Sequence, residues 1–229
     1  MRRLLLVAGL ALAWTAPAGA AGTVVLVPGS GFSGISPRED VRLAIGVQHW
    51  RDWGFATRLV RYRPGKRGEH DVQAAVARAE RHGPVCVYGE SSGGTWALLA
   101  AATQDAACVV VSAAPTDQET WARSEAHGAR VLARQRWPTY FGLAGEDDDY
   151  EPYDVWTAFE PVVPAMLIYA ASDQVVPPQQ GRIFATVPGD VRLTVLGRGA
   201  RTFVHSGVSR TQLLRARGAA RTFVSLALR

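Results

Sequence analysis

Cysteine is nearly absent from this 229-residue chain, occurring only at Cys86 and Cys108. Two cysteines rule out a disulfide framework, and no spacing of His or Cys matches a metal-ligand pattern. Each cysteine opens an apolar run. Two buried thiols account for that, while a disulfide is the alternative that an oxidising compartment would allow. The chain also lacks the run of ~20 apolar residues that a membrane span needs. No internal repeat and no long low-complexity tract interrupts it, and the polar stretches 63–68 and 145–150 are loop signals rather than linkers. Basic residues outnumber acidic ones by 25 to 20. Two of the arginines, Arg2 and Arg3, lie in the leader described below and the others are scattered, so the expectation is a solvated basic surface with no nucleic-acid partner.

At 48% hydrophobic composition the chain can bury one substantial core, and one domain is expected. Residues 1–20 stand apart. Met1-Arg2-Arg3 is a positive start, Leu4 to Trp14 is apolar, and Ala18-Gly19-Ala20 is a small-residue cleavage site, which together read as a secretory signal peptide. Pro17 and Gly19 oppose its continuation as a helix, and no cysteine stands where a lipid would be attached. The expectation is a secreted or periplasmic protein, without a stable membrane anchor, whose domain is residues 21–229.

Short apolar runs at 23–28, 56–62, 85–88, 108–112, 165–170 and 191–196 have the character of buried strands. Helical patterns fall between them. One is expected to open at Ser36, with Pro37 in its first turn and Glu39 completing a capping box, and to run toward Trp53. Others are expected at 71–81, after Ser91, and at 210–228. Strands alternating with helices predict a mostly parallel sheet of about six strands, covered on both faces. Residues 116–160 break the rhythm and hold 8 of the 20 aromatics, which suits a helical cap insertion over a site, although most of these rings individually suit the insertion's own core. Glu146 to Asp149 reads as a solvated acidic loop.

The chemistry centres on Gly89-Glu90-Ser91-Ser92-Gly93, between an apolar strand and an Ala/Leu-rich helix. A serine at the tip of so sharp a turn projects its hydroxyl above the sheet, and the glycines leave room for strand and helix to close. Such a hydroxyl needs a base, and the base needs a carboxylate to orient it. Asp173 follows the run 165–170 and His205 follows 191–196, so both are expected at the same sheet edge as Ser91. Asp117, after 108–112, is the rival acid. His49, His70, His82 and His127 fit surface or capping roles. An oxyanion would be met by the amide of Ser92 and by one from the Pro28-Gly29-Ser30-Gly31 loop, in the region of Ser30 and Gly31.

With these residues assembled, the chain resembles the α/β-hydrolase superfamily, and within it small carboxylesterases. The elbow Gly89-Glu90-Ser91-Ser92-Gly93-Gly94 is close to their Gly-Asp/Glu-Ser-Ala-Gly-Gly pattern, and Pro28-Gly29-Ser30-Gly31 is a degenerate form of their His-Gly-Gly-Gly. The resemblance implies an α/β-hydrolase fold with the family's eight-stranded sheet trimmed to six. It also implies a serine hydrolase without cofactor, acting on a small-molecule ester through Ser91, Asp173 and His205. A prolyl-peptidase-like activity and a hydrolase-fold binding protein without turnover are the competing expectations.

Overall fold

The computed structural model describes residues 22–36, 41–42, 45–126, 128, 155 and 163–229. The leader 1–20, Glu146 to Asp149 and the aromatics Trp137, Tyr140, Phe141, Tyr150, Tyr153, Trp156 and Phe159 lie outside the described residues.

All six expected strands form: β1 (Thr23–Val27), β2 (Ala56–Leu59), β3 (Val85–Glu90), β4 (Cys108–Ser112), β5 (Ala165–Ala170) and β6 (Val191–Leu196). They pair in parallel in the order β2-β1-β3-β4-β5-β6. The helices whose full span is described are α1 (Val47–Asp52), α2 (Lys66–Glu80), α3 (Ser92–Thr103), α4 (Gln118–Ala122), α5 (Gln179–Phe184) and α6 (Arg210–Ala227). Strand alternation divides the core in two. Val24, Leu26, Cys86, Val110 and Ile168 pack toward α1 and α6, whereas Val25, Val27, Val87, Val109 and Val111 pack toward α2 and α3. Helices on both faces bury β1, β4 and β5 throughout, which is why these central strands read as unbroken apolar runs.

Three local expectations are corrected. Among the described residues the first helix is Val47–Asp52, preceded by Arg42, Ile45 and Gly46 in turns, with Gly46 at φ 68°; Pro37 and Glu39 of the expected capping box lie outside the described residues. The second begins at Lys66, so that His70 lies inside it. Its first turn looked like loop because only Gly68, Val72, Ala75, Val76 and Ala79 face the core. The segment after β6 is not a plain loop: β7 (Arg198–Phe203) and β8 (Ser206–Val208) form an antiparallel hairpin. Cys86 and Cys108 are register partners on β3 and β4 and are joined in a disulfide, so the expectation of free thiols gives way to its alternative.

The sheet reverses its direction of growth at β1, with β2 added on one side and β3 on the other. Loops leaving the carboxyl ends of β1 and β3 therefore diverge and leave a crevice between them. Ser91 lies there.

Candidate active site

Ser91 links β3 to α3 with φ 51° and ψ −130°, a conformation that costs a non-glycine residue ~1–3 kcal/mol. Packing holds it there. A β-carbon on Gly93 would overlap the carbonyl oxygens of Val27 and Pro28, so the helix can lie this close to β1 only with glycine at that position. The Ser91 amide donates to Ser112 O at 2.9 Å and its carbonyl accepts from Gly94 N at 2.8 Å. Its side chain makes no cap bond to the helix.

The hydroxyl instead meets His205, with 3.0 Å between Ser91 Oγ and His205 Nε2. The other ring nitrogen, Nδ1, lies 3.1 Å from Asp173 Oδ2. Asp173 sits in the turn after β5, only 1% exposed, and its second oxygen accepts from the amides of Val175 at 2.8 Å and Val176 at 3.0 Å. Those two bonds fix the carboxylate's orientation, leaving Oδ2 for the imidazole. His205 occupies the two-residue turn between β7 and β8, where Val204 takes φ 44°. Asp117 does something else: it caps α4, accepting from Thr120 N at 2.8 Å and Thr120 Oγ1 at 2.7 Å. Among the described residues, the non-glycine positions with positive φ are Phe32, Ser91, Ala113 and Val204. Each follows a strand or lies in a loop at this same edge of the sheet.

The loop after β1 lies against the elbow, since a β-carbon on Gly29 would come within 2.8 Å of Ser91 Cβ. Ser92 opens α3, where a first-turn amide has no acceptor within the helix. Ser30 is placed differently from expectation, because its amide donates to Ser92 Oγ at 3.0 Å and is thereby engaged. No such bond occupies the Gly31 amide among the described residues. Tyr62, just beyond β2, holds the loop by donating to Pro28 O at 2.6 Å and bonding with Ser30 Oγ at 3.0 Å. Nothing in the sequence marks Tyr62 for this role.

A cavity of about 520 Å³ opens beside Ser91 and His205. Its walls come from α1, α6 and the hairpin, with Trp50, Trp53, Tyr88 and Ile168 among its apolar lining. Of the expected cap, the described part serves the core: Trp121 is buried, packs edge-on to Phe32, and donates from Nε1 to Val175 O at 2.7 Å. The charged and titratable groups lining the cavity are His49, Tyr88, Glu90, His205 and Arg217. Burial raises the Glu90 carboxyl from 4.5 to about 7, against the opposing effects of the Tyr88 hydroxyl, Arg217 and His205. Tyr88 donates to Glu90 Oε1 at 2.6 Å, and burial, with Glu90 beside it, keeps the phenol protonated. Among the described residues no cluster of His, Cys, Asp and Glu could hold a metal ion, and no helix is long and apolar enough to cross a membrane.

A six-stranded parallel sheet in this strand order, with helices on both faces, is an architecture shared with solved structures. A hormone-sensitive lipase from a metagenome library superposes with a TM-score of 0.70 at 14% identity, covering 93% of this chain and 80% of that one. An acetyl ester-xyloside bifunctional hydrolase from Caldicellulosiruptor lactoaceticus gives 0.66 at 14% identity, covering 93% and 85%. The S511A mutant of a puromycin hydrolase gives 0.68 at 21%, covering 94% of this chain but 35% of that one. No family model and none of the curated proteins matches the sequence. The chain has the α/β-hydrolase fold.

Proposed function

We propose that the protein is a serine hydrolase that cleaves a carboxylic ester through an acyl-enzyme. The observation that carries this reading is the chain of contacts Ser91 Oγ to His205 Nε2 to Nδ1 to Asp173 Oδ2, at 3.0 and 3.1 Å, with Ser91 and His205 lining a cavity that also holds Trp50, Trp53 and Ile168. Ser91 Oγ attacks the ester carbonyl carbon as neutral His205 takes its proton, and Asp173 stabilises the imidazolium. The negative charge passes to the carbonyl oxygen, where the amides of Ser92 and of the Ser30-Gly31 loop, Gly31 in particular, receive it. Collapse breaks the bond to the alkoxy oxygen, which leaves as the alcohol with the proton from His205. Water then repeats the sequence against the acyl-enzyme and frees the acid. The solved neighbours named as esterases and lipases support the ester as substrate.

Export belongs to the same reading. Its supports are the leader with its Ala18-Gly19-Ala20 site and the Cys86–Cys108 disulfide, a bond that persists outside reducing compartments.

The test is labelling with a fluorophosphonate followed by peptide mapping. Label should fall on Ser91, and Ser91→Ala should abolish both labelling and turnover of 4-nitrophenyl esters while leaving the thermal transition in place. Turnover of Ser91→Ala within tenfold of wild type would refute the mechanism. Equal kcat/KM on a 4-nitrophenyl ester and the matching 4-nitroanilide would turn the reading toward a peptidase.

A further inference from the structure

All twenty acidic residues of the chain precede residue 191, and residues 191–229 hold eight arginines with no Asp or Glu. The sequence made the arginines look scattered, but the fold gathers this acid-free stretch. It forms β6, the hairpin that carries His205, and α6, and it supplies one side of the cavity next to Ser91. Arg192 is paired with Asp190. None of the other seven arginines is in a salt bridge among the described residues. One of them, Arg217, lines the cavity itself.

The charges that face Arg217 across the cavity are few. His49 comes from α1, Tyr88 and Glu90 from β3, and His205 from the hairpin. Glu90 is the one acid in the described lining, and no salt bridge joins it to Arg217. Burial raises its carboxyl to about 7, so in mildly acidic solution it is mostly neutral and leaves the guanidinium uncompensated. A guanidinium is a planar, permanently charged donor suited to a carboxylate or phosphate. It lines the same cavity as Ser91 and His205.

Resting on the serine-hydrolase reading above and naming its substrate class, we infer that the ester cleaved at Ser91 carries an anionic group, and that Arg217 is the specificity-determining residue that receives it. The acid-free wall extends the attraction to the approach path, so association of such a substrate should weaken with salt.

The experiment compares two esters of the same glutaryl chain, 4-nitrophenyl hydrogen glutarate, which ends in a free carboxylate, and 4-nitrophenyl methyl glutarate, in which a methyl group caps that carboxylate and removes its charge. At pH 6 and low ionic strength the wild-type ratio of kcat/KM, anionic over neutral, should be about ten, as expected for one charge-assisted contact at a half-open site. Arg217→Gln should lower that ratio at least fivefold and Arg217→Lys should retain most of it. Arg215→Gln, on the same helix but outside the described cavity lining, should lower it less than twofold through the general field alone. The ratio should also fall as pH rises through about 7, since an ionised Glu90 offsets Arg217, while the catalytic step at Ser91 is common to the two esters. A wild-type ratio of one or below, or a ratio that Arg217→Gln does not move, overturns the inference. Turnover of neither ester overturns it as well. Labelling of Ser91 by a fluorophosphonate then shows whether the serine-hydrolase reading falls with it.

Discussion

Replacing Asp173 by Asn separates the two candidate acids, and the structure sets the expected size of the effect. Asp173 Oδ1 accepts from two backbone amides, those of Val175 and Val176. An asparagine at this position keeps its carbonyl oxygen there, because turning the amide group over would set its NH2 against both N–H donors. Its NH2 is then left facing His205 Nδ1. Only the tautomer with Nδ1 unprotonated tolerates that neighbour, so Nε2 carries the hydrogen and points it at Ser91 Oγ. The imidazole becomes a donor where an acceptor is needed, and the carboxylate that would stabilise an imidazolium is gone. A loss of about 10³–10⁴ in kcat/KM is expected, or ~4–5.5 kcal/mol of transition-state stabilisation. The fold should persist, because the two amide bonds do. Asp117→Asn should behave oppositely, since asparagine caps a helix as well as aspartate and the Thr120 amide keeps an acceptor. Its kcat/KM should stay within threefold. Steady-state kinetics on a 4-nitrophenyl ester, with thermal unfolding of both variants alongside, decide the matter. A folded Asp173→Asn within tenfold of wild type, or a greater loss at Asp117→Asn, would refute the assignment.

Much of the framework was legible because it rests on strong local signals. Parallel strands buried on both faces read as apolar runs, and each of the six runs became a strand. The convergence of Ser91, Asp173 and His205 was legible for a topological reason: in a parallel sheet every strand ends at the same edge, so the turns after β3 and β5 and the hairpin that follows β6 all start there. What escaped had no periodic signal. Five of the six residues of β7 are exposed, and its turn is built on Val204-His205, where a β-branched residue at positive φ is an unlikely reading of any sequence. The disulfide depends on register, which brought Cys86 opposite Cys108 across β3 and β4, and composition gives no register. The cavity wall joins α1 to α6 from distant parts of the chain. Its key side chains, Trp50 and Arg217, look in sequence like any core tryptophan and any surface arginine.

The disulfide closes a loop with a sequence separation of 22 residues, so the double variant Cys86→Ala, Cys108→Ala should lose roughly 3 kcal/mol by the chain-entropy relation. Urea unfolding measures this, and a loss under ~1 kcal/mol would mean that the bond constrains the unfolded chain little. Protein recovered from outside the cytoplasm should begin at Ala21, as N-terminal sequencing would show; an intact Met1 there would refute the leader reading. Glu90 makes a third case, independent of any catalysis. Its carboxyl titrates near 4.5 when unfolded and about 7 when folded, so between those values the folded chain binds more protons than the unfolded one. Stability must then fall as pH rises through that window and level off above it. A shift of this size, reduced for the carboxyl's partial exposure, amounts to on the order of 2 kcal/mol. Glu90→Gln keeps an oxygen for the Tyr88 hydroxyl and removes the charge. Its advantage over wild type should therefore be small at pH 4.5 and reach that magnitude by pH 8, a difference from which the groups common to both proteins largely cancel. Chemical denaturation of both proteins at the two pH values tests it. Parallel pH profiles would show that the cavity leaves Glu90 as well solvated as an ordinary surface carboxylate.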